Sequence, residues 1–139
     1  MWVEARKVMI TVETPKWSFI KYRATPKGFV KELTSPLPTI FNYGFVWGEL
    51  GGDGMPADAV ILGGRLPQGT TREGRVVAEV LFKDAGCLDN KLVVAQSVGL
   101  SFCDKMSIRL FFRCYALFKN VRSRLRRSPA RAAYVGLLW

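Results

Sequence analysis

The sequence predicts a mainly β domain, a small antiparallel barrel or sandwich of short strands with one helix laid across it. Three observations carry this. Short alternating or apolar runs recur through most of the chain, with turn residues between them. The period then changes to helical spacing near residue 105. The chain has 139 residues, 49 % of them hydrophobic, which suffices for one core and is too little for two large domains.

The elements follow in order. Residues 7–14 alternate, with Val8, Ile10 and Val12 on one face, and read as a strand. Residues 18–23 and 28–33 read as two more short strands. A region rich in Pro and Gly, 35–56, reads as loop. The apolar run 57–62 reads as a buried strand, and RVVAEVLF (75–82) and KLVVAQ (91–96) as two further strands. From about 105 to 126, Ile108, Phe111, Phe112, Tyr115 and Phe118 recur at helical spacing. So do Leu110, Cys114, Leu117, Val121 and Leu125. Asp104 or Ser107 is the expected cap at the start of this helix, and Ser128-Pro129 the expected stop. The apolar terminus 135–139 is expected to dock on the body or on another subunit.

Charge divides the chain. Lys plus Arg number 21 and Asp plus Glu 11, a net charge of +10. All the acids lie before residue 105, and 105–139 is cationic throughout. The basic segment 119–139 reads first as a solvated helix end, where cations also suit the helix dipole. Contact with an acidic surface, nucleic acid or an anionic membrane is the alternative. Nucleic acid is disfavoured because the bases lie beyond the strands and no exposed strand interleaves them with aromatics.

Histidine is absent, which removes Ser-His-Asp and Cys-His nucleophile pairs and every zinc site that uses His. Three cysteines without a CxxC fit reduced thiols better than a disulfide framework. Metal chemistry would therefore run on carboxylates, which favours hard cations. No apolar run approaches the roughly 20 residues of a membrane span, and no phosphate-loop motif is present. A cytoplasmic protein that does not enter membranes is expected.

Five acids stand at strand ends or in adjoining loops: Glu13, Asp53, Asp58, Asp84 and Asp89. Each alone reads as a turn or surface charge, Asp53-Gly54 above all. A barrel can gather such ends at one mouth, and gathered carboxylates repel unless cations hold them.

Ordered segments then carry a resemblance. VETPKWSFIKYR (12–23), SPLPTIFNYGFVWGELGGDGMPAD (35–58), FKDAGCLDNKLV (82–93) and LFFRCYALFK (110–119) resemble the soluble, magnesium-dependent inorganic pyrophosphatases. The resemblance implies one domain over 1–139, an OB-like five-stranded β-barrel with a C-terminal helix packed outside, and a homo-oligomer. It implies hydrolysis of pyrophosphate with several Mg2+ ions, Mn2+ being an alternative. Asp53 and Asp58 match the outer acids of D-G-D-P-x-D, and Asp84, Asp89 and Lys91 match D-x-x-x-x-D-x-K. Glu13, Lys21-Tyr22, Tyr43 and Tyr115 match single positions of the other motifs. Metal binding would then fall to Glu13, Asp53, Asp58, Asp84 and Asp89, and phosphate handling to Lys21, Tyr43, Lys91 and Tyr115.

Several positions depart from the pattern. Met55 stands where the resemblance implies the general base, and a thioether cannot take up that proton. Arg23 replaces the acid after Lys-Tyr. Lys31 replaces a substrate-binding arginine and loses its bidentate fork. Thr39 replaces a tyrosine and Ala116 a lysine, for which Lys119, one turn on, would partly substitute. An enzyme of reduced activity is expected, or alternatively a lapsed relative that binds pyrophosphate, metal or a polyanion without turnover.

Overall fold

Alternation along Lys7–Thr14, strand β1, buries Val8, Ile10 and Val12. A computed structural model describes residues 6–52, 54–96 and 100–139. The further strands are β2 (Ile20–Thr25), β3 (Gly28–Thr34), β4 (Asn42–Leu50), β5 (Pro56–Ile61), β6 (Thr71–Asp84), β7 (Cys87–Leu88), β8 (Lys91–Ala95) and β9 (Ala132–Leu138). The helix α1 spans Phe102–Leu125.

Five strands close on themselves in the order β1-β4-β5-β8-β6 and back to β1. The β5–β8 pair is parallel and the other barrel pairs are antiparallel. Closure leaves no open edge in the ring. The long β6 also carries β7 and β9 beyond the barrel, while β2 and β3 form a separate hairpin. The barrel interior is filled by small branched residues, among them Ile10, Val46, Ile61 and Val94. A second core lies between the barrel wall and α1, where Phe112 stacks on Phe41 at 6.1 Å and meets the edge of Phe82 at 5.8 Å. This is the OB-like barrel with one helix outside that the resemblance implies.

Four details differ from the expectations. The region 35–56 is not all loop, because it contains β4. Its Gly44 is required by the close approach of β1: a Cβ there would sit 1.9 Å from the Thr11 carbonyl oxygen. The neighbouring Asn42 is buried and pins the entry of β4, accepting from the Lys16 and Leu66 N–H groups and donating to the Gly64 carbonyl. The chain end forms β9, whose alternation is too short to stand out and which is held by its pairing with β6. Finally, α1 is capped by Ser101, whose Oγ accepts from the Asp104 N–H at 3.1 Å, and neither Asp104 nor Ser107 is the cap. At its other end the helix stops at Leu125, before Ser128-Pro129.

The two helical stripes part company. Ile108, Phe112 and Ala116 face the barrel and are buried. Leu110, Leu117, Val121 and Leu125 lie on the opposite side and are exposed, Leu125 to 81 %.

Candidate active site

Strand ends and turns gather the polar residues at one mouth of the barrel, around a cavity of about 550 Å³. The β6–β7 connection is a two-residue turn in which both central residues, Ala85 (φ 53°) and Gly86 (φ 81°), are left-handed, the geometry that suits a tight hairpin. It sets Asp84 at the end of β6 and returns the chain so that the Asp89 N–H donates to the Phe82 carbonyl. Lys91 then opens β8 directly beside Asp58 of β5 in the parallel register.

That register makes the central contact. Lys91 is almost wholly buried, with its Nζ 2.8 Å from Asp58 Oδ2 and 2.7 Å from Asp89 Oδ2. One ammonium thus holds two carboxylates together that would otherwise repel each other. Across the cavity, Lys119 reaches in from α1 and pairs with Asp84.

The opposite wall has another character. Lys21, from β2, is half-buried and makes no ion pair among the described residues. Its Nζ donates to the Tyr115 hydroxyl at 3.2 Å and lies 4.7 Å from the centre of the Tyr43 ring. Burial disfavours its charge, but Tyr115, Glu32 and Asp58 favour it more, so its pKa stays above the ordinary lysine value. Tyr43 is buried and its hydroxyl has no hydrogen-bond partner among the described residues. Burial, reinforced by Asp58, holds that phenol well above its ordinary pKa and therefore neutral and able to donate. An orphaned donor of this kind costs free energy unless a ligand or water meets it.

Glu13 sits at the base. Its Oε2 accepts from the Ala24 N–H at 2.6 Å, which ties the β2–β3 hairpin to the barrel. Burial, aided by Asp58, raises its pKa despite that hydrogen bond.

Of the residues singled out from sequence, Glu13, Lys21, Tyr43, Asp58, Asp84, Asp89, Lys91 and Lys119 line this one cavity, and so does Met55. Tyr115 stands behind Lys21 in a small adjoining pocket that Thr39 also lines. Asp53 lies outside the described residues. Lys31 is exposed and does not line the cavity, whereas its neighbour Glu32 does. The cause is an irregularity in the β2–β3 pairing, where Lys21 opposes Leu33 but Tyr22 opposes Lys31. A bulge of one residue changes which side chain faces inward, and strand alternation alone does not reveal it. Arg23, Cys87 and Leu88 complete the rim.

The donor set fits a hard divalent cation in kind, since five carboxylates and no imidazole line the cavity. In their present arrangement the aspartates are held by lysine ammoniums, and no three Asp, Glu or Cys residues among the described ones converge closely enough to cage a metal. A cation entering here would compete with Lys91 and Lys119.

The fold is shared with solved structures. The inorganic pyrophosphatase of Helicobacter pylori is similar with a TM-score of 0.78 and 22 % identity, over 98 % of this chain and 88 % of that one. That of Thermus thermophilus gives 0.79 and 20 %, over 95 % and 82 %. An inorganic pyrophosphatase from Neisseria gonorrhoeae gives 0.76 and 21 %, over 94 % and 81 %. At such identities the likeness speaks for the fold alone. No curated protein sequence matches significantly. No helix among the described residues is long and apolar enough to cross a membrane. The family model for inorganic pyrophosphatase matches residues 10–125, a span that takes in the barrel from Ile10 of β1 onward, every described residue of the cavity and all of α1, and the chain therefore belongs to the inorganic pyrophosphatase family.

Proposed function

We propose that this protein is a magnesium-dependent inorganic diphosphatase that hydrolyses pyrophosphate to two phosphates, slowed by Met55 at the position of the expected base. The observation that carries the reading is a division within one cavity. Lys21 and the orphaned Tyr43 hydroxyl offer donors without a competing carboxylate partner, facing a wall of Asp58, Asp84 and Asp89. One wall suits phosphate oxygens and the other suits hard cations.

In this reading Glu13, Asp53, Asp58, Asp84 and Asp89 would hold Mg2+, or Mn2+ in its place. Bound divalent cations supply a water of lowered pKa and neutralise charge on the phosphates. The chain's own residues position the substrate. Lys21, steadied from behind by Tyr115, donates to a phosphate oxygen, and Tyr43 donates a second hydrogen bond. Lys91 keeps Asp58 and Asp89 together until substrate and cation arrive, and Lys119 does the same for Asp84 while adding positive charge. Lys31, outside the cavity lining, has no direct role, and Glu32 occupies the wall beside it. Phosphoryl transfer needs mostly positioning and charge stabilisation, so this inventory is sufficient in kind. Loss of a general base costs about 10²–10⁴ in rate, which leaves a slow enzyme.

The test is phosphate release from pyrophosphate with Mg2+ and with Mn2+, compared with Asp84→Ala. Metal-dependent turnover that disappears in the variant is expected. Tight pyrophosphate binding without turnover favours a second reading, a relative that has lost catalysis and retains binding of pyrophosphate, metal or a polyanion. Met55 and the lysine-paired aspartates favour that reading. The proposal includes a homo-oligomer with α1 at the interface, supported by the exposed apolar face of that helix.

A further inference from the structure

The extra residue of the irregular β2–β3 pairing lies in β3, where the register passes over Glu32. Strand β2 therefore keeps its two-residue alternation, and Lys21 and Arg23 stand side by side on the face that lines the cavity. The backbone on both sides of Arg23 is fixed to β1. The Tyr22 N–H donates to Thr14 Oγ1 at 2.9 Å, and the Ala24 N–H donates to Glu13 Oε2 at 2.6 Å. The Arg23 side chain is exposed at the rim and makes no ion pair among the described residues.

Charge leaves this arginine a definite task. Of the cations that line the cavity, Lys91 and Lys119 already hold aspartates, so Lys21 and Arg23 remain for a ligand. Lys21 and Tyr43 together offer donors to one phosphate. Glu32 shares their wall, carries no ion pair among the described residues, and has its charge felt at both Lys21 and Tyr43. Lys21 and Glu32 alone would nearly cancel, and a second phosphate would meet no net attraction there. Arg23 restores the positive charge. Its guanidinium also presents two parallel N–H donors that match two oxygens of one phosphate. Lys31 cannot serve in its place, because it does not line the cavity.

Resting on the reading of this cavity as a diphosphatase site, we propose that Arg23 is a substrate-binding residue: Lys21 and Tyr43 hold one phosphate of pyrophosphate, and the Arg23 guanidinium holds the other by paired hydrogen bonds. Strand β2 then carries cations for both phosphates two residues apart. The substrate-binding arginine expected at position 31 has moved across the hairpin to position 23, where the anchored backbone of β2 aims it at the cavity.

The experiment measures calorimetric binding of methylenediphosphonate and of inorganic phosphate at saturating Mg2+, together with pyrophosphate turnover, in the wild type, Arg23→Gln, Arg23→Lys and Lys31→Gln. Arg23 is exposed and unpaired among the described residues, so its variants are expected to fold. Arg23→Gln is expected to weaken methylenediphosphonate about ten- to hundredfold, the effect of losing charge-assisted hydrogen bonds. Inorganic phosphate, which Lys21 and Tyr43 hold, is expected to change much less. Arg23→Lys keeps the charge without the fork and is expected to recover part of the loss, while Lys31→Gln binds as the wild type does. Suppose the wild type hydrolyses pyrophosphate, but Arg23→Gln binds methylenediphosphonate unchanged or Lys31→Gln loses as much as Arg23→Gln. The inference is then overturned and the diphosphatase reading stands. If the wild type binds methylenediphosphonate without hydrolysing pyrophosphate, and Arg23→Gln loses that binding, turnover fails and the role of Arg23 stands. If the wild type neither hydrolyses pyrophosphate nor binds methylenediphosphonate, both fail.

Discussion

Met55 lines the cavity, with a side chain that takes up no proton. Met55→Asp is expected to raise pyrophosphate hydrolysis by about 10²-fold, the low end of what a general base contributes. Steady-state turnover of both forms across a Mg2+ titration checks this, and equal turnover at saturating metal counts against a missing base at this position. Glu13 invites a second test at the same scale. Burial raises its pKa above the ordinary 4.5, so folding disfavours its ionised form. Its favourable contribution is fully present below the ordinary carboxylate range and is lost as pH rises through the raised value. Glu13→Gln keeps an acceptor for the Ala24 N–H and removes the charge. In metal-free buffer the variant is therefore expected to gain on the wild type as pH rises. Denaturant midpoints at a series of pH values measure this, and a difference independent of pH contradicts it.

Among the elements, the close approach of β1 and β4 depends on Gly44, because a Cβ would strike the backbone of Thr11, which cannot swing aside as a side chain can. Gly44→Ala is expected to cost about 1–3 kcal/mol, the range of an overpacked interior, and to loosen the β1–β4 seam first. Urea denaturation gives the loss, and faster amide exchange along Thr11–Val12 and Gly44–Phe45 locates it. The strand β4 itself shows why local reading failed there. Gly, Pro and Asn are loop residues by propensity, yet Gly44 serves a close approach and Asn42 joins three backbone groups across the chain. The helix shows the opposite. Its two apolar stripes were legible in the spacing, but which one faces the barrel depends on the stacking of Phe112 against Phe41 and Phe82.

For the whole molecule, α1 carries an exposed apolar stripe, and the chain from residue 105 onward holds bases and no acid. Lys105 and Arg109 lie over the Trp139 ring and Arg113 over Tyr134, so part of this charge covers β9 and the residue after it. If α1 is an interface between copies, light scattering at micromolar concentration gives a mass above that of one chain. Leu117→Asp, which changes an exposed position, is then expected to return the mass to the monomer. A monomeric wild type contradicts the expectation.

The sequence by itself determined the strands read around residues 7–14, 18–23, 28–33, 57–62, 75–82 and 91–96, the helix, the basic end and most of the residue types at the mouth. These are local or compositional properties: side-chain period, turn residues and charge need no partner to be read. The tertiary structure alone decided the rest. Lys91 bridges Asp58 and Asp89 because β5 and β8 pair in parallel, and Asp58 lies 33 residues away in the chain. Glu32 and not Lys31 faces the cavity because of an irregular pairing between β2 and β3. The final strand exists because β6 is long enough to bind it. Register, bulges and closure are set by which distant backbone groups meet, and no local pattern in the chain encodes that meeting.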